Sequence, residues 1–190
     1  MKADYSKYKD SELFAALKDK KETAEGAFAE IYARFSQKVF VYCLRVTGSH
    51  EDARDIFQET FLKFYETCSG YKIVDNIMGY LLIVARNICL NYKRKNSHAA
   101  KIEDYFLTSN DRTLEHRETQ QMISSALELL DFEYREAFIL RQYHGLDYNE
   151  IALITGDTVY AVKNRVWRAK EKLQVILAPY FFEEVQKQNR

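Results

Sequence analysis

The chain has few residues that break helices. One proline and six glycines in 190 residues exclude a collagen-like or linker-rich chain and argue against a turn-dense all-β architecture. Net charge is also absent: 28 Lys and Arg stand against 28 Asp and Glu. The longest apolar run, Ile77 to Ala85, is about half the ~20 residues that cross a bilayer. The first ten residues carry neither an apolar stretch nor a small-residue cleavage site. The expectation is therefore a cytoplasmic protein without membrane insertion. Three cysteines, Cys43, Cys68 and Cys89, are widely spaced, and none of the four histidines lies near one. They read as reduced small hydrophobes, and no metal site is expected. There is no Gly-x-x-x-x-Gly-Lys loop, no Gly-x-Ser-x-Gly elbow and no His-Glu-x-x-His pair. No catalytic residue, cofactor or small-molecule substrate is therefore expected.

What is present is 47% hydrophobic and 29% charged residues, recurring at helical spacing almost throughout. The composition is that of a globular chain, and the spacing makes it all-α. The charge is uneven. Positions 86 to 102 hold Arg86, Lys93, Arg94, Lys95 and Lys101 and no acid. Positions 163 to 172 hold Lys163, Arg165, Arg168, Lys170 and Lys172 against Glu171 alone. Glu51, Asp52, Asp55, Glu59 and Glu66 crowd another stretch. Two basic patches and one acidic helix suggest polyanion contacts at two places and a different partner at a third.

The spacing predicts two small helical domains, 8–97 and 114–178, joined by a polar linker at 98–113. In the first, Ser11 opens a helix with Leu13, Phe14 and Leu17 on one face. Phe28, Ile31, Tyr32, Phe35, Val39, Tyr42, Cys43 and Val46 continue the period, and Gly48 can end it in a left-handed turn. Ser49 to Asp52 resembles a capping box. The helix it opens places Ala53, Ile56, Phe57, Thr60, Phe61 and Phe64 on one face. Its other face is a ridge of Asp52, Asp55, Glu59, Leu62 and Glu66, beside Gln58. That ridge fits either solubility or docking on a basic surface. A helix over Ile77 to Lys95 turns Leu81, Val84, Ala85, Ile88 and Tyr92 toward a core. Tyr80, Asn87, Asn91 and Arg94 lie on another face, preceded by Tyr71 and Lys72. Rings, amides and cations of this kind suit an unpaired DNA strand, though such residues also serve ordinary surfaces.

In the second domain, Asp147 to Lys172 reads as a helix-turn-helix. Asp147 to Glu150 resembles a capping box, Gly156 makes a tight turn, and Asp157 or Thr158 caps the last helix. That helix buries Val159, Val162, Val166, Ala169 and Leu173. It presents Tyr160, Lys163, Asn164, Trp167 and Arg168, with Arg165 at the boundary. Lys and Arg can pair with phosphate or guanine and Asn with adenine. A solvated face on a plain helical hairpin remains the alternative.

Two separated motifs match one family. Asp-Ala-Arg-Asp-Ile-Phe-Gln-Glu-Thr-Phe at 52–61 and Tyr-Leu-Leu-Ile-Val-Ala-Arg-Asn at 80–87 resemble region 2 of bacterial sigma factors. Tyr134 to Ala137, Leu140-Arg141, Gly145 to Ala152 and Val162 to Ala169 resemble region 4. A short linker with no room for a third domain resembles the extracytoplasmic-function group. The resemblance implies a promoter-specificity subunit of RNA polymerase. It implies that Asp52, Asp55, Gln58, Glu59 and Leu62 dock on core polymerase. Tyr71, Lys72, Tyr80, Asn87, Asn91 and Arg94 would recognise and help open the −10 element of promoter DNA. Thr158, Tyr160, Lys163, Asn164, Arg165 and Arg168 would read the −35 element. An anti-sigma factor would be a further partner. Tyr80 stands where the family usually has Trp, and Tyr160-Ala161 where it often has Gly-Thr. The rival reading is a stand-alone dimeric helix-turn-helix regulator on a palindromic site.

Overall fold

The computed structural model describes residues 4–68, 74–95 and 114–188, and among them every regular element is a helix. The order is α1 (Asp10–Ala16), α2 (Lys21–Thr47), α3 (His50–Thr67), α4 (Ile77–Lys95), α5 (Leu114–Glu128), α6 (Phe132–Gln142), α7 (Tyr148–Thr155) and α8 (Val159–Gln188). The chain divides into two compact units, Met1–Ala100 and Lys101–Arg190. The expected linker at 98–113 and the loop residues Tyr71 and Lys72 lie outside the described residues.

In the first unit α2, α3 and α4 pack on one another, and α1 lies against α2 and α4. Leu13 and Phe14 of α1, Ile31 and Tyr42 of α2, Ile56 and Phe64 of α3, and Leu81 and Leu82 of α4 are almost wholly buried. Burying such side chains contributes roughly 1.5–3 kcal/mol each. The α2 helix ends as its sequence suggests: Gly48 takes φ 74°, open to glycine at little cost. Ser49 Oγ then accepts the Asp52 N–H (3.2 Å) and starts α3.

The packing departs from the expected faces at three points. Helix α1 begins at Asp10 rather than Ser11, with the Glu12 carboxylate accepting the Lys9 N–H at 2.7 Å. On α4, Leu81, Ala85 and Ile88 are buried as expected, while Val84 and Tyr92 are half-buried and Leu82 and Cys89 are buried instead. The reason is that α4 faces three neighbours, so its apolar arc is wider than one stripe. Tyr32 stays exposed, with its ring on Phe57 (5.9 Å) and Phe61 (5.0 Å). It caps a seam of aromatic rings between α2 and α3 that includes Phe28, Phe40 and Tyr65.

The second unit closes its core around Ala126, Leu127, Leu130, Ala169 and Leu173, with Phe138 and Ile176 against them. Leu140, Ile151, Val162 and Val166 are buried between α6, α7 and α8. Helix α8 continues through Pro179 to Gln188, beyond the expected end at 178. The three cysteines are free and buried, consistent with small apolar side chains. Among the described residues no helix is long and apolar enough to cross a membrane.

Candidate nucleic-acid interface

Helix α7 opens with both halves of a capping box. Asp147 Oδ1 accepts the N–H groups of Asn149 (2.7 Å) and Glu150 (2.9 Å), and Glu150 accepts the Asp147 N–H (2.7 Å). It closes at Gly156, whose φ of 73° admits the sharp reversal into α8. Thr158 Oγ1 accepts the Ala161 N–H at 3.2 Å, so Thr158 rather than Asp157 caps α8. Buried Ile151 and Ile154 on α7, with Val162 and Val166 on α8, hold the two helices together.

That packing leaves one side of α8 uncovered. Thr158, Lys163, Asn164 and Arg168 are exposed, with Tyr160 79% and Trp167 53% accessible. The Arg168 guanidinium lies over the Trp167 ring at 5.0 Å, which holds a cation and a flat apolar surface side by side. The Tyr148 ring, at the start of α7, is flanked by Arg141 (4.8 Å) and Lys163 (5.6 Å). Arg141 also donates to the Leu146 carbonyl at 2.7 Å, which ties the turn before α7 to α6. Periodicity had put Trp167 on this face. Arg141 and Tyr148 join it through the crossing of three helices, which no spacing along one helix displays.

Arg165 behaves differently from its neighbours. Its side chain is 20% exposed, paired with Asp157 through one amino group and with Glu133 through the other at 3.1 Å. It therefore ties α8 to the α7–α8 turn and to the start of α6.

In the first unit, Asp55, Gln58, Glu59 and Leu62 stand exposed along α3, with Leu62 59% accessible. Glu59 is paired with Lys63 at 2.5 Å, both side chains nearly half exposed. A pair so exposed is weak and easily exchanged for another partner. Asp52 is set apart from this ridge: it is half-buried and accepts the hydroxyl of Tyr92 on α4.

On α4, Tyr80, Asn87, Asn91 and Arg94 recur at seven, four and three residues, so they share one side. Asn87, Asn91 and Arg94 are exposed and Tyr80 is half-buried. The Tyr80 hydroxyl bonds Thr67 Oγ1 at 2.8 Å, and its ring rests on Phe64 at 5.8 Å. Tyr71 and Lys72 fall outside the described residues.

The chain has relatives among known proteins. The family model for Sigma-70 region 2 matches residues 31–99, and that for Sigma-70, region 4 matches residues 120–173. The chain is 26% identical over 173 residues to the ECF RNA polymerase sigma factor SigE of Mycolicibacterium smegmatis, covering 87% of this chain and 67% of that protein. It is 26% identical over 152 residues to SigM of Bacillus subtilis, also named an ECF RNA polymerase sigma factor, covering 77% and 93% of the two chains. Its fold is similar to that of the sigma factor RpoE from Bartonella quintana, solved with the anti-sigma factor NepR. That match has a TM-score of 0.70 at 23% identity and covers 80% of this chain and 96% of the other. It is also similar to CnrH, solved with the cytosolic domain of CnrY, at a TM-score of 0.68 and 22% identity, covering 90% and 97%. With region 2 followed by region 4, and with relatives of that name aligned along most of its length, the chain belongs to the sigma-70 family of RNA polymerase sigma factors, in the extracytoplasmic-function group, whose work is to bring the polymerase to promoters and begin transcription.

Proposed function

We propose that the two units divide promoter recognition between them. The second unit grips duplex DNA at the −35 element by laying α8 in the major groove. Tyr160, Lys163, Asn164, Trp167 and Arg168 face the base edges and flanking phosphates there, with Thr158 at the helix start. Arg141 and Tyr148 add a phosphate contact from the side. Arg165 serves by holding α8 at its angle, through Asp157 and Glu133. The observation that carries this reading is the uncovered side of α8, where cations, an amide and two rings are clustered above a buried valine stripe. Cations there suit phosphates and guanine, and Asn164 suits adenine.

The first unit holds core polymerase through the α3 ridge of Asp55, Gln58, Glu59 and Leu62, with Asp52 orienting α3 against α4. The α4 side bearing Tyr80, Asn87, Asn91 and Arg94, together with Tyr71 and Lys72, engages the −10 element. Opening DNA costs about 1.4 kcal/mol per stacked step. Capturing an unpaired base on a ring returns about 1–3 kcal/mol, so a few captured bases offset a short bubble. We also assign an anti-sigma protein as a partner. The support is that RpoE, a protein of similar fold, was solved with one.

The test is transcription in vitro by purified core polymerase plus this chain on templates randomised at both elements. Transcripts are expected from templates sharing two motifs at a fixed spacing. Initiation that is absent, or spread evenly over the library, refutes the reading. The free chain is expected to bind promoter DNA weakly. Tight sequence-specific binding without polymerase by a stable dimer would favour a stand-alone regulator.

A further inference from the structure

The segment before α1 is registered on α2 by contacts that a loose tail would not make. The Arg34 guanidinium donates to the carbonyls of Tyr5 (2.9 Å), Ser6 (2.8 Å) and Tyr8 (2.8 Å), while its Nε donates to Glu30 at 2.6 Å. The Tyr5 ring lies on the bare Cα of Gly26, where a Cβ would stand 2.4 Å from the ring edge. Asp4 accepts both the hydroxyl and the amide of Ser6, which holds its carboxyl below the usual range and closes the first turn. A planar guanidinium spending three bonds on carbonyls within four residues sets the path of this segment closely.

That path delivers one carboxylate to a distant helix. Asp10, the first residue of α1, lies 3.9 Å from Arg34 and accepts the backbone N–H of Ile77 at 3.1 Å. Ile77 opens α4, whose first N–H groups have no partner within the helix. Asn76 covers another of them, its Oδ1 accepting the Gly79 N–H at 2.7 Å. So the first turn of α4 is capped once from its own chain neighbour and once from a residue 67 positions earlier. A negative charge there also suits the helix dipole. Tyr80 sits in that same turn and leads the row of Asn87, Asn91 and Arg94.

We infer that Asp10 is a positioning residue for promoter opening, holding the first turn of α4 so that Tyr80 meets the unpaired strand. The inference rests on the assignment of α4 to the −10 element. Without the carboxylate, Ile77 N–H loses its acceptor, the turn frays, and Tyr80 is held less closely at its contacts with Thr67 and Phe64, while the α3 ridge and α8 are untouched.

The test uses holoenzyme on duplex promoter, with opening followed by permanganate reactivity of unpaired thymines. Asp10→Ala is expected to slow opening about fivefold, with affinity for core polymerase and for closed duplex changed less than twofold. Asp10→Asn keeps an oxygen that can accept from Ile77 and is expected to recover more than half of the rate. Tyr80→Ala should slow opening in the native chain and add little on top of Asp10→Ala, because one acts through the other. Normal opening by Asp10→Ala beside slow opening by Tyr80→Ala overturns the positioning role alone, as do strictly multiplicative effects of the two. Normal opening by Tyr80→Ala overturns it together with the −10 assignment beneath it.

Discussion

Replacing Arg165 by alanine separates a residue that reads DNA from one that holds the reader in place. The Arg165–Asp157 pair is 20% and 24% exposed, and Glu133, at 3.1 Å, is 65% exposed. A hydrogen bond between charged groups is worth about 1.5–3 kcal/mol net, and an exposed ion pair about 0–1 kcal/mol. Partial exposure places the combined loss near 2 kcal/mol, less than the 3–5 kcal/mol typical of a broken, fully buried pair. For a unit of this size each kcal/mol moves Tm by about 4–8 °C, so Arg165→Ala should lower it by about 10 °C. Trp167, the single tryptophan of the chain, lies on α8, so its fluorescence during urea or thermal unfolding reports on the second unit. Arg168→Ala, by contrast, should leave Tm within about 3 °C, as surface changes do, while still weakening −35-dependent transcription. A double-mutant cycle with Asp157→Ala should return a coupling of about 1–2 kcal/mol. Native stability in Arg165→Ala, or additive effects with Asp157→Ala, would refute the holding role and return Arg165 to the DNA-reading set.

Three further outcomes are expected. Reversing Asp55 and Glu59 to Lys should weaken binding of core polymerase tenfold or more, on the order of 1.4 kcal/mol or above, while Asp52→Ala should mainly lower stability. Unchanged core affinity, measured by fluorescence anisotropy, would count against the α3 ridge. Lys163→Ala should reduce the slope of log K against log salt by about 1 in holoenzyme binding to a −35 promoter, as loss of one phosphate contact does; an unaltered slope would remove Lys163 from the backbone contacts. Gly156→Ala forces an L side chain to φ 73°, at about 1–2 kcal/mol, and should shift the Trp167 unfolding transition to lower urea; no shift would mean the turn has another geometry.

Much of this molecule is readable from local pattern because helices are local objects. Gly48, Ser49, Asp147, Glu150 and Gly156 mark helix ends in the sequence, and each does its work there in the fold. Of the expected stripe on α8, Val162, Val166, Ala169 and Leu173 are buried and Val159, at the first turn, is half-buried, so the spacing tells which side is covered and which is free. The pattern was less informative where a helix has several neighbours: α4 buries Leu82 and Cys89 in place of Val84 and Tyr92 because three helices surround it.

By itself, the sequence determined the all-helical architecture, the helix ends marked by Gly48, Ser49, Asp147 and Gly156, the helix-turn-helix, and the family, though not the start of α1 or the end of α8. Each of these follows from spacing within a few turns or from a run of adjacent residues. Tertiary structure alone decided which charged side chains are already taken. Asp52 and Asp55 look alike on α3, yet only Asp52 meets the Tyr92 hydroxyl; spacing puts Arg165 no further than the boundary of the face that bears Arg168, and only the fold shows it held by Asp157 and Glu133. Asp10 finds the Ile77 amide 67 residues away. Periodicity fixes the angle at which a side chain leaves its own helix, but not what another helix has brought to meet it.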